Sequence, residues 1–127
     1  AGVGTGGTVT GCGRGLQSRH PDCRVIGIIL SPGERVPGIR DSERLKVVKT
    51  GWEKVIYGKP IQINRYQAFL RSLELIKMDL DDVGPSSGLA LAGALEYLKR
   101  YESRQEVIIV FICPDSYKPY SDNTKLY

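Results

Sequence analysis

Two uninterrupted apolar runs limit what this chain can fold into. Val25-Ile26-Gly27-Ile28-Ile29-Leu30 and Val107-Ile108-Ile109-Val110-Phe111-Ile112-Cys113 lack the polar alternation of a half-solvated strand. They read instead as strands buried on both faces, as in parallel sheets. Such strands need helices to cover them, and the sequence offers three. Val9, Cys12 and Leu16 recur at helical spacing after a glycine-rich turn, with Gly11, Gly13 and Gly15 among them. Each interior glycine costs a helix roughly 1 kcal/mol against alanine, so these glycines suggest close packing against a sheet or ligand. Tyr66, Phe69, Leu70, Leu73 and Ile76 form a second amphipathic stripe that Asn64 can cap. Leu91, Ala94, Leu95 and Leu98 form a third, with Ser86 or Ser87 as its cap. Helices alternating with buried strands predict an α/β layer structure with a mostly parallel sheet. A polar stretch from Ser31 to Pro60, punctuated by Pro32-Gly33, Pro37-Gly38 and Gly51, reads as one long functional or mobile loop, and Ser116 to Tyr127 as an irregular tail.

At 127 residues the chain fits one domain, residues 1–127. Its longest apolar run is too short to span a bilayer, so no membrane partner is expected. The net charge of +4 comes from Lys and Arg scattered along the chain without interleaved aromatic residues. That favours small anions over nucleic acid. Cys12, Cys23 and Cys113 are odd in number and form no Cys-x-x-Cys pair. No disulfide framework or metal site is predicted, and a reducing, cytoplasmic setting fits best. Cys12 and Cys113 read as small buried residues, and His20, before Pro21, as a solvated helix-end residue.

Gly4-Thr5-Gly6-Gly7-Thr8 at a helix start sets backbone N–H groups and two hydroxyls where the helix dipole favours an anion. A hydrogen bond to a charged group contributes about 1.5–3 kcal/mol, against about 0.3–1 kcal/mol from the dipole, so the donors decide affinity. Gly2-x-Gly4-x-x-Gly7 also mimics the dinucleotide fingerprint. That reading needs an acidic residue ending the next strand, where Leu30 is followed by Ser31-Pro32. A Walker loop fails too, because no lysine follows Gly7-Thr8.

Gly4 to Gly11, then Arg24-Val25-Ile26-Gly27-Ile28, then Val83-Gly84-Pro85-Ser86-Ser87-Gly88 opening an Ala- and Leu-rich helix, then an apolar run ending in Pro114-Asp115-Ser116, together resemble the second half of cysteine synthases. Cystathionine β-synthase shares the pattern. The resemblance implies one Rossmann-like, three-layer domain of a two-domain, fold type II pyridoxal-phosphate enzyme. It also implies β-replacement on a small amino-acid substrate, O-acetylserine or O-phosphoserine, with sulfide giving cysteine. By the same resemblance, Thr5, Gly6, Gly7 and Thr8 hold the cofactor phosphate and Ser86 meets the pyridine nitrogen, with Ser87 the less favoured candidate.

The family's lysine segment and its Thr-Ser-Gly-Asn-like loop are missing, so no residue here is assigned as catalytic. The chain opens at Ala1-Gly2-Val3-Gly4 without methionine. A carboxy-terminal piece is therefore expected, its partners being a missing amino-terminal domain and, in the parent enzyme, a second copy in a homodimer. Departures from the family pattern fall at Asp79-Leu80-Asp81-Asp82 and at Tyr117-Lys118-Pro119-Tyr120. A further departure, Val36-Pro37-Gly38-Ile39-Arg40, resembles enzymes that use O-phosphoserine, and there Arg40 is the candidate substrate-phosphate contact. Serine or threonine dehydratases and cystathionine β-synthase are the close alternatives. A noncatalytic anion- or nucleotide-binding module is the alternative from another class.

Overall fold

The computed structural model describes residues 1–78, 82–101, 105–116 and 118. In chain order these hold α1 (Gly7–Arg19), β1 (Ile28–Leu30), α2 (Ser42–Leu45), a 3-10 turn at Trp52–Lys54, β2 (Ile61–Ile63), α3 (Arg65–Lys77) and α4 (Pro85–Arg100). β1 and β2 pair in parallel, Ile28 with Ile61 and Leu30 with Ile63, and single parallel bridges join Gly2 to Ile28 and Leu30 to Asp41. The expected α/β class is therefore present as a small parallel sheet with helices.

Alternation along β1 sends its side chains to two cores. Ile28 and Leu30 pack with Val36, Ile39, Ile61, Ile63, Ala68, Leu89 and Ala92, whereas Ile29 packs with Val3, Val9, Leu45 and Trp52. Residues of α3 and α4 thus cover one face and those of α1 the other. Among the described residues no helix is long and apolar enough to cross a membrane.

Helix starts follow local chemistry. Asn64 caps α3 by accepting from Gln67 N, while the Gln67 side chain accepts from Asn64 N, the reciprocal capping box. α4 departs from expectation: its cap is Gly84, with Pro85 in the first turn, so neither Ser86 nor Ser87 caps it. Proline's fixed φ and missing N–H suit the first helical position.

Three apolar stripes are rotated from their sequence reading. α3 buries Ala68, Phe69, Ser72 and Leu75 and leaves Tyr66, Leu70 and Leu73 exposed. α4 buries Leu89, Ala90, Ala92 and Gly93, with Leu98 exposed. In α1 the buried residues are Val9, Thr10 and Gly13, while Cys12 and Leu16 face solvent. The cause is close approach. A Cβ on Gly88 would collide with Ala68 O and Ser72 N of α3, so α3 must present its small residues to α4, and its large ones turn outward. Gly13 is likewise packed under Val55, but nothing lies near Gly11 or Gly15.

The run 107–113 is also corrected. Among the described residues it joins no strand ladder, Ile108 and Val110 are 91% and 83% exposed, and Cys113 is exposed. Apolar composition favours a strand only where a neighbouring edge supplies hydrogen bonds. The stretch 31–60 is more ordered than expected, burying Val36, Ile39, Leu45, Trp52 and Val55, and β2, with its Ile-Gln-Ile alternation, was hidden at its end. His20 is exposed at the α1 terminus, its N–H bonded to Leu16 O. The departures at 79–81, 117, 119 and 120, and nearly all of the tail, lie outside the described residues.

Asp41 fastens this stretch. It is 4% exposed, and its carboxylate accepts from Arg44 N (2.9 Å) and Gly33 N (3.2 Å) and pairs with Arg44 Nε at 3.3 Å. The Arg44 backbone bond, then the Arg44 side chain and the Gly33 bond, hold its pKa below the ordinary 3.8. A group with a depressed folded pKa stabilises the fold above its unfolded pKa, and that contribution is lost as pH falls through the folded value. Asp41→Asn is thus expected to lower stability at neutral pH and to narrow the gap to wild type as pH falls below about 4, as measured by denaturant unfolding across that range. In the same assay Gly88→Ala should destabilise by about 1–3 kcal/mol through overpacking, whereas Gly15→Ala should stabilise by roughly 0.5–1 kcal/mol.

Candidate functional site

The first helix begins on a turn that only glycine makes easily. Gly6 sits at φ 81° and ψ −4°, in the left-handed region that penalises any Cβ. A Cβ there would also strike Thr50 Oγ1 and come within 3.1 Å of Trp52. Thr50 in turn donates from Oγ1 to Thr5 O at 3.1 Å. Thr50 and buried Trp52 back the turn, and neither was legible as a site residue, because nothing in their local sequence marks what they pack against.

No side chain caps α1. The N–H groups of Gly7, Thr8 and Val9 precede the first helical acceptor, and no partner for them occurs among the described residues. Thr5 and Thr8 are exposed. This is an arrangement of unsatisfied donors at the positive end of a helix, suited to an anion.

The turn opens on a cavity of about 270 Å³ lined by Gly2 and Gly4 to Thr8, by Gly38 and Ile39, by Ser86, and by Ile112, Pro114 and Asp115. Thr5, Gly6, Gly7, Thr8 and Ser86, separated by up to 81 positions in sequence, therefore border one space. Arg40 does not. Its N–H bonds to Val3 O and its carbonyl accepts from Leu30 N, so its backbone is a rung beside the sheet, while its neighbours Gly38 and Ile39 reach the cavity wall.

Ser86 is 6% exposed and donates from Oγ to Asp115 Oδ1 at 2.9 Å. Asp115 is fixed by its own backbone, since Gly84 N donates to Asp115 O at 2.9 Å. Because Gly84 is the cap residue, the Ser86 hydroxyl serves no helix terminus, and it borders the cavity together with Asp115. Ser87 is fully buried, its Oγ has no hydrogen-bond partner among the described residues, and it does not line the cavity. In the sequence Asp115 stood out only as the end of an apolar run. Its pairing with Ser86 was not legible, because it spans 29 residues.

The fold and site define an α/β protein with an uncapped, glycine-turned helix start and a buried serine bonded to a half-buried carboxylate, all bordering one small cavity. Comparison with known proteins narrows this class. The chain is 32% identical over 123 residues to a cysteine synthase of Aquifex aeolicus, covering 94% of this chain and 37% of that protein. It is 30% identical to a cysteine synthase of Helicobacter pylori, covering 87% and 38%. It is 28% identical to a cystathionine beta-synthase of Dictyostelium discoideum, covering 93% and 25%. No protein-family model matches the chain. These matches across nearly the whole chain identify it as a relative of the cysteine synthase family, although it spans well under half the length of each of these relatives.

Gly7 separates packing from binding. It lines the cavity, and a Cβ there would meet only Thr5 Oγ1, at 3.7 Å. Gly7→Ala should therefore keep or slightly raise the melting temperature while weakening inorganic phosphate binding by about tenfold or more, because the added methyl blocks backbone approach. Thermal unfolding checks the first and calorimetric titration with phosphate the second, both on the full-length variant.

Proposed function

We propose that this chain is the phosphate-cradling, carboxy-terminal part, residues 1–127, of a pyridoxal-phosphate enzyme that forms L-cysteine from O-acetylserine or O-phosphoserine and sulfide. The fold proposed for the whole is the two-domain, fold type II arrangement, with this chain in its Rossmann-like, three-layer domain. The observation that carries the reading is the single cavity bordered by both the glycine–threonine turn and Ser86. The similarity to cysteine synthases supports it independently.

The residues present fit the cofactor at both ends. At one end, the N–H groups of Gly7 and Thr8 and the hydroxyls of Thr5 and Thr8 are donors without a partner among the described residues, fit for a phosphate dianion. At the other, Ser86 Oγ donates to Asp115 Oδ1, which holds its rotamer, and on cofactor binding that O–H would turn to donate to the unprotonated pyridine nitrogen. The cavity lies near the lower end of the roughly 300–1,000 Å³ typical of small-ligand sites. When bound, pyridoxal phosphate supplies the electron sink for β-replacement, and the protein supplies grip and orientation. Gly38 and Ile39, anchored through Asp41 and the core, close one side and exclude water. No residue of this chain is assigned as nucleophile or base. The lysine-bearing domain, a homodimer and a cytoplasmic setting belong to the proposed parent enzyme.

Arg40, one residue beyond Ile39, is proposed as the contact for a substrate phosphate. The 28% match to a cystathionine beta-synthase favours a second reading, a cystathionine β-synthase-like lyase, and a serine or threonine dehydratase-like lyase is a third outcome. The deciding experiment uses the full-length protein. A visible absorbance band after addition of pyridoxal phosphate is expected, with cysteine formed from sulfide and O-acetylserine or O-phosphoserine. Arg40→Ala should reduce O-phosphoserine turnover about tenfold or more and leave O-acetylserine turnover nearly unchanged, and equal losses would remove Arg40 from the site. Cystathionine or keto-acid product would select the alternatives. Absence of any band would leave a noncatalytic anion- or nucleotide-binding module.

A further inference from the structure

A second groove lies at the other end of the parallel strands. Arg24 and Lys59 shortly precede β1 and β2, and Tyr97, Arg100 and Tyr101 close α4, whereas the glycine turn sits beyond the carboxyl end of its strand segment. The groove has a volume of about 590 Å³, more than twice that of the first cavity, and Tyr57 also lines it.

Its chemistry is preorganised around Arg24. The guanidinium lies 4.4 Å from the Tyr57 ring centroid and 6.0 Å from that of Tyr101, within the roughly 6 Å reach of cation–π attraction. Nη1 donates to Tyr97 Oη at 3.1 Å. No carboxylate pairs with Arg24 or Lys59 among the described residues. Arg100, by contrast, is neutralised by Glu96 through Nε and Nη2. Among the described residues two cations therefore face the groove without an internal counter-charge, one of them held over a tyrosine face and hydrogen-bonded to a second tyrosine. A guanidinium held in this way suits the forked geometry of a phosphate. Beside it, the Tyr97 and Tyr101 rings lie tilted by 35° with centroids 5.8 Å apart and offer an aromatic surface. Inorganic phosphate alone would leave that surface and most of the volume unused.

We propose that this groove binds a small aromatic phosphate of the nucleoside monophosphate class, with the phosphate on Arg24 and Lys59 and the ring against the tyrosines. This is independent of the cofactor reading, since the two sites share no lining residue. The test titrates the full-length protein with adenosine 5′-monophosphate, adenosine and inorganic phosphate by calorimetry at low salt. Saturable binding of the monophosphate is expected with a Kd below about 1 mM, with adenosine and phosphate each about tenfold or more weaker. Arg24→Gln and Lys59→Gln should each weaken the monophosphate about tenfold without lowering the melting temperature, because both side chains are exposed. No saturable binding, equal affinity for inorganic phosphate, or affinity unchanged in Arg24→Gln would each overturn the proposal.

Discussion

The hydrogen-bonded seam around β1 is the constraint on which the rest depends. Its residues are wholly buried, so each backbone donor and acceptor needs a partner, and the partners come from three distant segments. Val3 N donates to Ile28 O and Ile28 N to Ala1 O, Ile61 N donates to Gly27 O and Ser31 N to Ile63 O, and Leu30 N donates to Arg40 O. Satisfying this one strand draws together the segment before the glycine turn, the Val36–Arg40 loop and β2. The cavity follows from it, because both the turn and the loop leave the seam at the same end.

That end is where open α/β sheets bind ligands, outside the carboxyl ends of their strands. The chain applies two devices there. Gly6 turns the backbone so that α1 begins with unsatisfied donors, and Gly84-Pro85 starts α4 without using a serine, which leaves Ser86 to Asp115. Both avoid a side-chain cap that would consume the groups a ligand requires. The amino end of the same strands carries a site of different character, in which an exposed guanidinium is held by tyrosine faces instead of by burial.

Helix packing explains why stripes of large apolar residues misjudge the faces. Gly88 lets α4 approach α3 until only Ala68 and Ser72 fit between them, and dispersion favours that close fit. Tyr66, Leu70 and Leu73 are periodic, yet they fall on the outer side. Periodicity reports that a helix exists, whereas which side is buried depends on what it meets.

The sequence alone determined the elements whose causes are local: the glycine turn at the α1 start, the Asn64 cap, the buried strand ending at Leu30, and the α/β class. It also marked Thr5, Gly6, Gly7 and Thr8 as candidate ligand groups by their chemistry, and Ser86 by its place in a pattern shared with cysteine synthases. Tertiary structure alone decided that these five border one cavity, that Arg40 serves as a backbone rung, that Ser86 donates to Asp115, and that, among the described residues, 107–113 join no ladder. The physical reason is range. Turns and caps are fixed by bonds over a few residues, while strand pairing, glycine-to-backbone packing and a serine–carboxylate bond spanning 29 residues exist only once the chain has folded back on itself.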